Sequence, residues 1–133
     1  MGVSFDIAQL PWQTWSPTFD ASASMTWSGS PTTVIARYAQ LGKTVFFEVN
    51  RYATTGGTPS PICRFTLPIV AAFADANSTL GGGCAVAVSG SWLGGFYYLS
   101  SNGSTVNVLV FDQRNYDGAA TAQINVSGCY EVA

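Results

Sequence analysis

The fold class of this chain is indicated by one stretch, TTVIARYAQ (residues 32–40), LGK (41–43) and TVFFEVNRY (44–52). The first and last runs are rich in β-branched and aromatic residues, which favour strands. The Leu-Gly-Lys segment between them is short and contains glycine, as is typical of a tight turn. We therefore predict a β-hairpin with strands over residues 32–40 and 44–52.

Further strand patterns lie downstream of this hairpin. They cover residues 62–67, 84–89, 96–100, 105–111 and 121–130. Asn102-Gly103 separates two of them and predicts a type I′ hairpin turn, because Asn and Gly accept positive φ angles. No apolar pattern of helical period persists beyond two turns. Closely spaced strands without helices indicate an all-β sandwich or barrel. Of these two, we predict an antiparallel, jelly-roll-like β-sandwich.

Two segments make up the predicted domain organisation. An N-terminal arm covers residues 1–11 and a single β-sandwich domain covers residues 12–133, a length that can bury a core of its own. In the arm, apolar residues alternate with small or polar ones, which is a strand pattern without a local partner. Such a strand pairs with the edge of its own sheet or with a neighbouring subunit. The candidate assembly residues are Val3, Phe5, Ile7 and Leu10.

The composition is unusual in its charge. Apolar residues make up 47% of the chain and charged residues only 9%, against about 25% in a typical soluble domain. A net charge of −2 and five scattered basic residues provide no surface for nucleic acid. No apolar run is long enough for a membrane span, and no signal peptide is expected. A weakly charged surface favours a protein that works inside an assembly.

The usual parts of an active site are missing from the sequence. The chain has no His, so a Ser or Cys nucleophile lacks its commonest base and a zinc site lacks its commonest ligand. We expect Cys63, Cys84 and Cys129 to be buried free thiols, with one disulfide plus one thiol as the alternative. No spacing singles out a carboxylate pair for glycoside hydrolysis. The prediction is a non-enzyme without metal or cofactor.

Aromatic side chains are the main candidate contact residues. Exposed aromatic rings stack on sugars, whereas buried ones fill a core or a subunit interface. Both interpretations stay open for this set. The candidate sugar- or interface-contacting aromatics are Trp12, Trp15, Trp27, Trp92, Tyr97 and Tyr98.

Four motifs in order give the chain a family resemblance. They are Trp15-Ser16-Pro17-Thr18, then Ala36-Arg37-Tyr38 with Leu41-Gly42-Lys43-Thr44-Val45, then Phe65-Thr66-Leu67-Pro68, and the closing run at residues 124–133, Ile-Asn-Val-Ser-Gly-Cys-Tyr-Glu-Val-Ala. The pattern resembles a β-sandwich family of bacteriophage virions, found in head-fibre, capsid decoration and tail-fibre proteins. Ala36, Cys129 and Val132 depart from the family's usual residues. None of the matched positions is catalytic in that family.

The resemblance implies a virion protein made in the host cytoplasm. We expect a complete small gene product that forms a homotrimer and binds the major capsid protein or another virion protein, as a capsid decoration (cement) or head-fibre protein. The alternative is a carbohydrate- or receptor-binding module of a tail fibre, which contacts a host-surface glycan.

Overall fold

Antiparallel strands account for all regular structure in the residues that the computed structural model describes, 10–72, 81–100, 102–117 and 120–133, and this part of the chain contains no helix. The all-β prediction is confirmed. The described strands are β1 (Gln13–Thr14), β2 (Phe19–Ala21), β3 (Thr26–Leu41), β4 (Thr44–Gly56), β5 (Cys63–Thr66), β6 (Gly81–Val88), β7 (Ser91–Leu99), β8 (Thr105–Val110) and β9 (Thr121–Glu131).

The predicted hairpin is present and longer than predicted. Leu41 pairs with Thr44 across a two-residue turn, and Gly42 takes a positive φ of 60° there. Buried and half-buried side chains alternate along all of β4, because successive side chains of a strand point to opposite faces. β3 begins at Thr26 rather than at residue 32, and its register shifts twice before Thr33.

All described strands belong to one sheet, in the order β1-β3-β4-β9-β6-β7-β8-β5-β2. Its two edges are β1 and β2, which are neighbours in the chain. The short connection between them bridges the edges: the Trp15 backbone N–H donates to Ala36 O of β3 at 3.2 Å, and the Trp15 indole donates to Thr66 O of β5 at 3.2 Å. The sheet is therefore curled into a half-barrel, and the predicted two-sheet sandwich is not confirmed.

The concave side of the curled sheet holds the core. Phe47 of β4 lies at the centre of an aromatic cluster, with ring centroids 6.2 Å from Phe65, 6.1 Å from Tyr97 and 5.9 Å from Tyr130. Buried valines of the central strands complete the packing. The Tyr116 side chain reaches in from the loop after β8, where it is fully buried and donates to Val108 O at 3.1 Å.

The turn between β7 and β8 differs from the prediction. Gly103 has the expected positive φ, 73°, but its N–H donates to Ser100 O at 3.0 Å. Gly103 is therefore the fourth residue of the turn, so the predicted type I′ turn centred on Asn102-Gly103 is wrong. The Asn102 side-chain carbonyl accepts from the N–H groups of Ser104 and Thr105 at 3.0 and 3.1 Å, which closes the loop in another way.

Candidate interaction surface

The outer face of β7 carries aromatic side chains that the fold leaves uncovered. Tyr97 points into the core and is 5% exposed, whereas its neighbour Tyr98 points outward and is 38% exposed. Trp92 lies on the same outer face and is 55% exposed. Phe96 is half-buried between them. Because strand side chains alternate between faces, the residues at 92, 96 and 98 share one surface.

Two of these rings, Phe96 and Tyr98, form a stacked row with the ring of Phe111. The Phe96 ring is 6.2 Å from Tyr98 with an interplanar angle of 21°, and 6.2 Å from Phe111 with an angle of 18°. Phe111 follows the end of β8 and is 63% exposed. We call Tyr98, Phe96 and Phe111 the aromatic ladder. The sequence did not single out Phe111, because nothing in its local pattern shows that it folds back onto β7.

Small residues lie beside the aromatic ladder. A Cβ atom at Gly94 would lie 2.8 Å from the Phe111 ring, so the ring covers the strand only because position 94 is glycine. On β6, Gly83 pairs with Phe96 and Ala85 with Gly94, and both are exposed. Residues 81–111 contain no Asp, Glu, Lys or Arg. This part of the sheet is therefore an uncharged, partly aromatic surface.

A groove lies on the outer face of the sheet at β4 and β9, apart from the aromatic ladder. It has a volume of about 720 Å³ and is lined by Trp12 and Phe46 together with polar side chains, including Glu48 and Asn125. The Arg37 guanidinium lies 4.6 Å from the centre of the Trp12 ring and pairs with Glu48 at 2.7 Å. One face of Trp12 is thus already covered within the chain.

The remaining candidate aromatics are placed in the interior or at its margin. Trp27 is 1% exposed and Tyr97 5%, so both belong to the core and cannot contact a partner as predicted. Trp15 is half-buried, packed edge-on against Tyr38 with ring centroids 5.9 Å apart. Of the six predicted residues, all of which the structure describes, only Trp92 and Tyr98 are exposed, at 55% and 38%.

The predicted arm is described only at its end. Val3, Phe5 and Ile7 lie outside the described residues. Leu10 is buried, and its carbonyl accepts from the Trp12 N–H at 2.8 Å. Leu10 therefore belongs to the folded domain in the structure, one residue inside the predicted boundary of the arm.

The described carboxylates are mostly engaged with neighbouring side chains. Glu48, Asp20 and Asp112 each form an ion pair with an arginine. Asp117 accepts from the Ser89 hydroxyl at 2.5 Å. Within the residues that the structure describes, no three Cys, Asp or Glu side chains come together as a metal site. The same part of the chain includes no helix that could cross a membrane.

The cysteines differ in their surroundings. All three are free thiols, and only Cys63 is buried as predicted, whereas Cys84 is half-buried and Cys129 is exposed. Burial raises the pKa of Cys63, and it raises the pKa of Cys84 to about 11. Burial also raises the pKa of Tyr116, next to Cys63. Neutral, buried thiols of this kind are poor nucleophiles.

The chain matches no family model, no curated protein and no solved structure.

Proposed function

We propose that this protein is a non-enzymatic structural protein of a bacteriophage virion, a capsid decoration or head-fibre protein that binds the capsid surface as an oligomer. The observation that carries the proposal is the aromatic ladder on the uncharged surface of β6 to β8. The order of the four sequence motifs supports the viral context. The absence of His from the chain supports a role without acid–base catalysis.

The aromatic ladder is best explained as a contact between copies of the chain. Exposed Tyr98, Phe111 and Trp92 side chains lose apolar contact with water when a neighbour covers them, which stabilises association. Contiguous apolar patches on soluble proteins mark interaction sites. An interface core is rich in aromatic residues and poor in charge, and residues 81–111 have this composition.

The partner in this proposal is a second and a third copy of the chain. A trimer follows from the resemblance to head-fibre and decoration proteins, and the location in the virion follows from it as well. The resemblance also implies a jelly-roll-like sandwich. The contact between Phe47 of β4 and Phe65 of β5, with ring centroids 6.2 Å apart, supports this part of the proposal, because the inner faces of two sandwich layers pack through such side-chain contacts.

Binding to particles tests the proposal directly. Purified protein is added to phage particles that lack it, and the bound protein is located by electron microscopy. We expect regularly spaced density on the capsid with the wild-type chain and much weaker density with Tyr98→Ser/Phe111→Ser. Leu41→Ser removes an exposed apolar residue at the β3–β4 turn and serves as the matched control. Wild-type protein that never decorates a capsid would contradict the capsid role.

The second candidate function is glycan or receptor binding by a tail-fibre module. It is favoured by the groove at Trp12, where an aromatic ring lies beside the polar side chains of Asn125 and Glu48. Sugar-binding sites combine aromatic faces with such hydrogen-bonding groups. Screening the protein on immobilised host-surface glycans, with Trp12→Ala as the comparison, separates this function from the first. Glycan binding that depends on Trp12 but not on Tyr98 favours the tail-fibre role.

A further inference from the structure

A second cavity lies where the β1–β2 connection crosses β3. It has a volume of about 510 Å³. Trp15, Pro17 and Phe19 come from the connection and the start of β2, Val34 and Ile35 from β3, and Arg51 from β4. The lining also includes the polar residues Thr14 and Ser16 and a second arginine, Arg37. Val34 and Ile35 are exposed, so the cavity is open to solvent.

Arg51 is the unusual member of this cavity. The side chain points to the concave side of the sheet, and the residue is only 8% exposed. One terminal nitrogen donates to Trp27 O at 3.2 Å, while the buried Nε has no hydrogen-bond partner. The guanidinium carbon lies 4.4 Å from the centre of the Phe19 ring and 5.6 Å from that of Trp27. These ring contacts offset part of the cost of burying the charge.

No carboxylate neutralises Arg51 within the described residues. The other described arginines, Arg37, Arg64 and Arg114, are more exposed and each pairs with Glu or Asp at 2.9 Å or less. The most buried arginine is therefore the one without an ion pair. A buried, unpaired charge is costly in a folded protein. We therefore expect Arg51 to have an anionic partner that the described residues do not supply.

The shape and lining of the cavity restrict that partner. A guanidinium binds a carboxylate through two parallel hydrogen bonds. Phosphates are usually bound by several cations or by a row of backbone N–H groups, whereas this cavity offers one unpaired cation, because Arg37 is engaged with Glu48. The walls of Trp15, Pro17, Val34 and Ile35 suit an apolar group next to the anion.

We propose that this cavity binds a carboxylate attached to a small apolar group, with Arg51 as the anion-binding residue. The carboxylate belongs to a small organic acid or to an acidic side chain within an apolar segment of a neighbouring protein. The proposal does not depend on the aromatic ladder or on the virion role.

Binding of phenylacetate, with phenylacetamide as the neutral analogue, tests the site. The resonances of the Trp15 indole N–H and the Arg51 Nε–H are followed by NMR during titration of the folded, full-length protein. We expect saturable shifts with phenylacetate. The amide should bind at least about tenfold more weakly, because a hydrogen bond between two charged groups is stronger than one to a neutral amide. Equal binding of acid and amide, or no shift with either, would overturn the proposal.

Variants of Arg51 separate charge from packing. Arg51→Met keeps the length and apolar stem of the side chain and should abolish phenylacetate binding, while Arg51→Lys keeps the charge and should weaken binding through loss of the planar fork. Arg114→Gln removes one positive charge from an exposed ion pair outside the cavity and should leave binding unchanged. If Arg51→Met binds phenylacetate as the wild type does, the assignment of Arg51 is wrong.

The source of the carboxylate can be distinguished with the same variants. If a neighbouring subunit supplies it, Arg51→Met lowers the oligomeric state of the protein and phenylacetate competes with assembly. If a small acid is the ligand, Arg51→Met and the wild type have the same oligomeric state and only the wild type binds phenylacetate.

Discussion

The two faces of β7 use the same kinds of residue for opposite purposes. Tyr97 packs against Phe47 inside the curled sheet, whereas Tyr98, the next residue, stacks with Phe96 in the aromatic ladder outside. Side-chain alternation along a strand separates them. The role of an aromatic residue in this chain therefore depends on the face of the strand on which it lies, and its residue type alone does not define it. The inner rings stabilise the monomer, and in our account the outer rings stabilise the oligomer.

The largest difference between the two faces should be in the free energy of unfolding. Phe47→Ala removes the centre of the buried cluster and should cost about 3–5 kcal/mol, since it deletes a buried aromatic ring. Phe111→Ala removes an exposed ring and should change the stability of the monomer by about 0.5 kcal/mol or less. Denaturant unfolding at low protein concentration measures both. Equal losses would mean that Phe111 is part of the monomer core.

Two adjacent glycines of β7, Gly94 and Gly95, allow the outer and inner faces of the strand to be compared by adding one methyl group at each. A Cβ at Gly95 would lie 2.5 Å from Leu109 O and 2.6 Å from a Val86 methyl group, while a Cβ at Gly94 meets only the exposed Phe111 ring. Gly95→Ala should therefore cost about 1–3 kcal/mol through overpacking. Gly94→Ala should be tolerated because Phe111 can rotate away, but it should weaken assembly. Melting temperatures together with sedimentation velocity measure the two effects.

Two tyrosine hydroxyls should also differ between inside and outside. Tyr116→Phe removes the buried hydroxyl that donates to Val108 O, and the loss of this hydrogen bond should cost about 1 kcal/mol. Tyr98→Phe, on the exposed ring, is the matched control and should leave the unfolding free energy unchanged. If the two substitutions cost the same, the hydrogen bond of Tyr116 contributes nothing to stability.

The three cysteines allow buried and exposed positions to be compared in the wild-type protein, without any substitution. Cys129 is exposed and should be alkylated first, Cys84 later, and buried Cys63 only on unfolding. The thiolate is the reactive form, so the raised pKa of Cys84, about 11, predicts slow alkylation at neutral pH and faster alkylation as the pH rises. Mass spectrometry of timed samples gives the order. Early modification of Cys63 would show that the core opens readily.

Sequence patterns predicted the strands that have a clear local signal. The β3–β4 hairpin was predicted from its β-branched residues and short turn, and β9 from its alternation of apolar and polar residues, although β9 pairs with the distant strands β4 and β6. β1 and β2 were missed, because each has only two or three residues and pairs with a strand far away in the chain. The start of β7 was also missed. Ser89-Gly90 forms a turn with two positive φ angles, and Gly94-Gly95 obscures the strand pattern after it.

The candidate surface was predictable only in part. Trp92 and Tyr98 were named from the sequence and are exposed, but Trp27 and Tyr97 were named with them and are buried. The face of a side chain depends on the register of its strand, and a one-residue error in register exchanges the two faces. Arg51 was not recognised, because its burial results from the approach of Phe19 and Trp27, which local sequence does not encode.

The central claim is that the aromatic ladder joins copies of this chain, and sedimentation velocity at micromolar concentration tests it most directly. The wild type and the control Leu41→Ser should sediment as an oligomer, with a trimer having three times the chain mass of 14.0 kDa. Tyr98→Ser/Phe111→Ser should sediment as a folded monomer with an unchanged far-UV circular dichroism spectrum. A wild-type protein that sediments as a monomer of 14.0 kDa, or a double variant that keeps the oligomeric state of the wild type, would contradict the claim.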